Sequence, residues 1–197
     1  MSTRRFLPFL ILGVLSLLAA GGLVLGLALA PAAAELAVHN ATGETLAADS
    51  FTADLTASQS TLASPASLHF SGRLEYLKPD TVRIVRLGPA GGGPSSVTFT
   101  GPRAASYLSA LTDLRRFSDF HQRGATYTAS LPVSRFVPAI EAKLVHGSYQ
   151  VAVTVGGNRV TALVEQVVLI TPTGTTRETL RYVFEQIGGQ PVVQPTT

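Results

Sequence analysis

From residue 50 onward the chain is dominated by alternation of apolar and polar positions. Phe51-Thr52-Ala53-Asp54-Leu55-Thr56 alternates strictly, which predicts a strand over 51–58 with Phe51, Ala53 and Leu55 on one face. Ser58 to Ser67, which includes Pro65, reads as a turn-rich loop. The clearest strand covers 68–77: Leu68, Phe70, Leu74 and Tyr76 point one way, while His69, Ser71, Arg73 and Glu75 point the other. Lys78-Pro79-Asp80 has turn chemistry, with proline pre-setting its own φ. A return strand over 81–87 carries Val82 and Ile84, and a glycine- and proline-rich stretch follows. A short strand from Ser96 to Thr100 carries Val97 and Phe99 and stops at Gly101-Pro102.

The period then changes. Leu108, Leu111, Leu114 and Phe117 recur at three and four, predicting one or two short helices between Arg103 and Phe120. Residues 125–131 alternate weakly as a strand. Pro132 to Lys143 reads as a helix, with Phe136, Val137, Ile140 and Leu144 inward. The last third is β: Tyr149, Val151, Val153 and Val155 alternate up to a Gly156-Gly157-Asn158 hairpin turn. The next strand, Val160 to Thr171, is apolar on both faces at its far end. After a turn at Pro172-Thr173-Gly174, a final strand from Thr176 to Ile187 sets Leu180, Tyr182 and Phe184 on one face. Ahead of all this, 35–49 reads as a modest helix with Leu36, Ala37, Leu46 and Ala47 as inward positions. The fold class expected is α+β, an antiparallel sheet of about seven to ten strands with short helices over its apolar face.

The N-terminal segment is of another kind. Arg4 and Arg5 precede an uncharged, mostly apolar run from Phe6 to Ala30, 25 residues long. Its length suits a membrane anchor, since a span takes about 20 residues. Ala32-Ala33-Ala34 before Glu35 instead suits a cleaved signal peptide. Both readings place the rest of the chain outside the cytoplasm, either secreted or anchored to the cytoplasmic membrane by residues 6–30. The division is therefore 1–34 signal peptide or membrane anchor, 35–190 one domain, and 191–197 a flexible tail. No cysteine is present, so neither disulfides nor N-terminal lipidation of a cysteine enters the account. The net charge of +3 shrinks to near balance once Arg4 and Arg5 are removed from the fifteen basic residues and set against twelve acidic ones. That balance offers no clustered basic face for nucleic acid.

No catalytic constellation is visible: there is no Gly-x-Ser-x-Gly elbow and no His-Glu-x-x-His pair. His39, His69, His121 and His146 are widely spaced. Asp119-Phe120-His121 is the one pairing with metal or acid–base potential, and it lacks a second ligand in register. Asp49 beside Ser50 reads as turn chemistry. Neither an enzyme nor a cofactor or metal is expected. What the pattern leaves is an apolar face made of Phe51, Leu55, Leu68, Phe70, Leu74, Tyr76, Val82, Ile84, Val97 and Phe99. Burying each large apolar side chain is worth roughly 1.5–3 kcal/mol, so this face does not stand open to water. Either helices cover it completely, or they leave a cavity for a ligand.

The order Phe51, Thr52, then Gly72, Leu74, Tyr76, Lys78, Pro79 and Ile84 resembles the LolA-like periplasmic lipoprotein carriers. The tail is similar too: Val167 to Ile170, a Thr-Pro-Thr-Gly turn, then Glu178 to Phe184. The resemblance covers both ends of the domain and is weak over 110–145. It implies a strongly curved half-barrel with short helices on its concave side. The helix at 35–49 lies inside the curve, and the mid-chain helices form a lid. It also implies non-enzymatic binding or transfer of lipids or lipoprotein acyl chains in the cell envelope, with the ten apolar residues as lining. Lys78 stands where the carriers typically have an Arg that contacts the lid, and its ammonium lacks the planar fork of a guanidinium. Expected partners are a lipid or acylated lipoprotein, an envelope protein, and the membrane through the N-terminal segment. The alternative on the same scaffold is an extracytoplasmic sensor or protein-interaction module with a filled core.

Overall fold

A computed structural model describes residues 33–61, 64–86, 95–136, 145–172 and 174–189. The N-terminal apolar segment, the 191–197 tail and most of the helix expected over 132–143 lie outside these residues. Among the described residues, no helix is long and apolar enough to cross a membrane.

Among the described residues, nine antiparallel strands form one open sheet: β1 (Ser50–Thr61), β2 (Ser64–Leu77), β3 (Thr81–Arg86), β4 (Ser95–Thr100), β5 (His121–Arg123), β6 (Thr126–Pro132), β7 (His146–Gly156), β8 (Arg159–Thr171) and β9 (Gly174–Glu185). Their order is β4-β3-β2-β1-β9-β8-β7-β6-β5, so two meanders are joined by the pairing of the first and last strands. Helix α1 covers 33–47, and α2 (Pro102–Tyr107) and α3 (Ser109–Asp113) connect β4 to β5 through a 3₁₀ turn at Leu114–Arg116.

Because side chains alternate, register decides which residues share a face. Phe51 pairs with Tyr76, Tyr76 with Val82, and Val82 with Phe99. The next row inward is Ala53, Leu74, Ile84 and Val97, and Ala53 faces Phe184 on its other side. A third row runs Leu55, Tyr182, Leu163, Val153, Tyr127. These rows form the inner face, against which the helices pack. The expected alternation in the strands therefore holds, and it places the core between sheet and helices.

Three expectations need correction. Residues 58–67 are not a loop: β1 runs to Thr61, and Gln59 pairs with Leu68. Pro65 is tolerated because β3 pairs with β2 only from Gly72 onward, so that end of β2 is not laddered on both sides. A short strand, β5, also appears at residues 121–123, where none was expected; it hairpins back through Gly124, whose φ is 63°.

The third correction concerns the face that α1 buries. Of the four positions expected inward, Ala37 and Leu46 do pack against the core, but Leu36 is 60% exposed and Ala47 is exposed, whereas Ala34, Val38, Ala41, Thr42 and Thr45 are buried. Small side chains on that stripe let the helix approach the sheet closely. The two threonines satisfy their hydroxyls on the preceding turn: Thr42 Oγ1 donates to Val38 O and Thr45 Oγ1 to Ala41 O, both at 2.8 Å. Thr45 Oγ1 also accepts from the backbone N–H of Val160 at 2.9 Å. The register of β7 against β8 shifts between Thr154 and Val155, just beside the Gly157–Asn158 turn where both residues have positive φ. One threonine thus fastens α1 to the backbone of the hairpin.

On the inner face of β2, Gly72 has a structural reason. A Cβ there would lie 2.9 Å from both the Phe70 ring and the Val85 carbonyl oxygen. The Phe70 ring therefore folds over Gly72 along its own strand.

Thr45→Val keeps the shape but strands the Val160 N–H in the core. It is expected to lower stability by about 1–3 kcal/mol, read from the urea midpoint at unchanged m-value, whereas Thr45→Ser retains most of it.

Candidate ligand-binding face

Burial along the inner face is graded. β1 is buried from Ser50 to Ala53 and then turns half-buried and exposed toward Thr61. β9 mirrors it, buried at Tyr182 and Phe184 and half-buried at Leu180. At the closed end α2 and α3 sit over the sheet, contributing buried Ala104, Ala110 and Leu111. The Phe51 ring lies 4.9 Å from Tyr76 and 5.5 Å from Phe184. Between Phe51, Leu74, Leu108, Leu111 and Phe184 the remaining cavity is about 10 Å³, room for roughly a single water.

The ten residues expected to line a lipid cavity are divided by this gradient. Phe51, Leu74, Tyr76 and Val82 are core. Leu55, Ile84 and Phe99 are half-buried and packed against it. Phe70 is half-buried toward the open end, and Val97 is 54% exposed on the edge strand β4. The side chain of Leu68 lies outside the described residues, although its backbone pairs with Gln59. Lys78, at the β2–β3 turn, donates from Nζ to Ala47 O at 3.3 Å and lies 4.0 Å from Asp49. Its partners are thus at the C-terminal end of α1, where a cation also suits the helix dipole.

At the opposite end of β7 and β8, aromatic rings fill the inner face. Phe117 lies 5.2 Å from Tyr149 and 5.5 Å from Phe136, and Phe136 is 4.6 Å from Tyr149. The Arg116 guanidinium sits 4.6 Å over Phe136.

Inside this apolar surface stands Glu165, a residue sequence reasoning passed over. It is 5% exposed and pairs with Leu180 on β9 and Val151 on β7. The Tyr149 hydroxyl donates to its Oε1. Desolvation pushes the Glu165 carboxyl up from 4.5 to about 6, with Asp113 and Glu178 adding to the rise and the Tyr149 hydrogen bond opposing it. Burial first, and then Glu165, push the phenols of Tyr149 and Tyr182 upward. The signal was present: counting by twos from Leu163 puts Glu165 on the inner face with Val167. The run of valines around it hid the one charge.

The other sequence candidates are not brought together. His121 is exposed on β5, and Asp119 accepts a hydrogen bond from Ser118. Among the described residues, no three His, Cys, Asp or Glu side chains cluster as metal ligands do. A polar hollow of about 670 Å³ lies between α1 and the β7–β8 turn, lined by His39, Asn40, Glu44, Arg115 and Asn158.

No protein-family model matches this chain, and no curated protein does. Among solved structures, a LolA superfamily protein from Nitrosomonas europaea is similar over 81% of this chain and 94% of its own, at 10% identity and a TM-score of 0.36. A DUF1329 family protein from Desulfovibrio piger is similar over 83% and 95%, at 8% identity and a TM-score of 0.32. The fold itself rests on the strand order and register above.

Glu165 makes stability depend on pH in a defined direction. Its folded value exceeds its unfolded value, so the stability it contributes is complete below about 4.5 and is lost as pH rises through about 6. The unfolding free energy of the protein minus that of Glu165→Gln is expected to fall by about 2 kcal/mol between those limits and to stay level above them. Denaturant titrations across that range measure it; a constant difference would place the carboxyl in water.

Proposed function

We propose that this protein binds a lipid or the acyl chain of a lipoprotein in the cell envelope, without a chemical step, on the open half of its inner face. The observation that carries the reading is the burial gradient. Helices fill the sheet at Phe51, Leu74 and Phe184, while Leu55, Phe70, Val167, Leu169 and Leu180 remain half-buried. Ile170, on the same stretch of β8 with its side chain on the alternate face, is 45% exposed. An acyl chain laid along these positions removes apolar surface from water at roughly 25 cal/mol per Å². The exported or anchored placement read from residues 6–30 puts the site where such ligands occur.

The second reading, a sensor or protein-interaction module with a filled core, is favoured by the closed end, where only about 10 Å³ is left between sheet and helices. The two readings differ in what the open end holds.

Native mass spectrometry with lipid extraction, on the full chain from a bacterial envelope, separates them. The lipid reading expects a co-purifying acyl species near one per chain. Phe70→Asp and Leu180→Asp, both at half-buried positions, are then expected to weaken binding of a fluorescent fatty-acyl probe about tenfold or more with little change in thermal midpoint. Leu74→Asp is expected to unfold the domain, because Leu74 is core. Apo protein that also refuses the probe favours the filled-core reading.

A further inference from the structure

The inner face carries, beside half-buried Glu178, a buried charged group that packing alone does not call for. A valine or leucine at 165 would continue the rows formed by Leu163 and Val167, yet the position holds a carboxylate more than nine-tenths buried. Tyr149 occupies Glu165 Oε1, and the other carboxylate oxygen has no hydrogen-bond partner among the described residues. The Tyr182 hydroxyl, on a side chain also more than nine-tenths buried, has none either. Tyr182 is one step along β9 from Leu180, the cross-strand partner of Glu165. An acceptor and a hydroxyl on neighbouring rows therefore have no partner among the described residues, and Glu165 lies in the row of half-buried Leu180 and Phe70.

The charges that act on the Glu165 carboxyl are acidic. Glu178 shares the inner face of β9, and Asp113 approaches from α3. Asp113 is paired with Arg116 at 3.4 Å, and Arg116 also donates to the Arg135 carbonyl oxygen. The inner-face positions of β7, β8 and β9 hold no Lys, Arg or His, and Arg177 and Arg181 fall on the alternate, exposed face. A carboxylate oxygen that no described residue satisfies disfavours a ligand that cannot donate to it.

Building on the acyl-binding reading above, we propose that Glu165 and the Tyr182 hydroxyl select the ligand's polar group. They admit single-chain amphiphiles whose head donates hydrogen bonds or is cationic, an amine above all, and disfavour anionic heads. With its carboxyl titrating at about 6, Glu165 is ionised at neutral pH and repels a carboxylate brought against it.

Three probes with one dodecyl chain test this on the full chain at about pH 7.5, above the titration of Glu165: dodecylamine, dodecanoic acid and uncharged monododecanoylglycerol, each in displacement of a fluorescent acyl probe. The expected result is dodecylamine binding at least about tenfold tighter than dodecanoate. Glu165→Gln keeps the side-chain shape and an oxygen for Tyr149, and is expected to reduce that ratio about tenfold. The wild-type ratio itself needs no variant to fold. Equal binding of amine and carboxylate by the wild type, or an unchanged ratio in Glu165→Gln, overturns this inference and leaves acyl binding standing. Failure of monododecanoylglycerol to bind at all overturns the acyl-binding reading, and this inference with it.

Discussion

The pairing of β1 with β9, from Thr52–Glu185 to Thr61–Thr176, joins what would otherwise be a four-stranded and a five-stranded sheet. It brings the start of the described sheet against its end, and the join is reinforced where Gly188 N–H donates to Ser50 O at 2.7 Å and Ser50 Oγ donates to Gly189 O. The second and third rows of the inner face cross this seam through Ala53–Phe184 and Leu55–Tyr182. A slip of one residue there would turn Phe184 and Tyr182 outward relative to Phe51 and Leu55, and α2 and α3 would lose the surface they cover. Register at this seam is fixed by side chains that fit only one way, since Phe51 packs simultaneously on Tyr76 of β2 and Phe184 of β9.

With the sheet joined, the helices have a fixed amount of inner face to cover, and they do not cover it evenly. α2 and α3 are only six and five residues long, which limits them to the end nearest β4. α1 is held at the β7–β8 hairpin by Thr45, away from the half-buried rows. The uneven coverage is thus a consequence of short helices tied to particular strands. It leaves Leu55, Phe70 and Leu180 with the same inward direction as Phe51 and Leu74 but with less above them.

Much of this was legible in the residues because strands announce themselves with a period of two. The inward sets in β2, β7 and β9 are those that alternation names, and the turns at Lys78-Pro79 and Gly157-Asn158 fall where proline and glycine require. Two things were not legible, for distinct reasons. The face α1 buries is made of alanines, one valine and two threonines, so a search for large apolar residues selects Leu36, the side that faces water. What holds that face is a backbone amide freed by a register shift in another hairpin, a partner that no local pattern contains. Strand β1 beyond Ser58 was obscured by small polar residues that resemble loop composition, yet their backbone still ladders with β9. Glu165 was legible in parity and hidden by composition. What sets it apart is burial beside Tyr149 and Tyr182, which only the register of three strands assembles.

A sheet selected for stability alone would carry neither of the features that mark this inner face. Leaving large aliphatic side chains half-covered forgoes roughly 1 kcal/mol at each position, and desolvation disfavours the charged form of a buried carboxyl and raises its titration. Natural sequences accept such departures mainly where function requires them. Here the two departures are neighbours: Leu180, half-covered, is the cross-strand partner of Glu165, buried and charged. An apolar strip that ends on a polar anchor has the shape of an amphiphile, a chain followed by a head. If helices simply completed the core, nothing would require the strip and the anchor to adjoin. Their adjacency across one β8–β9 pair is what the proposed chain binding and head selection share.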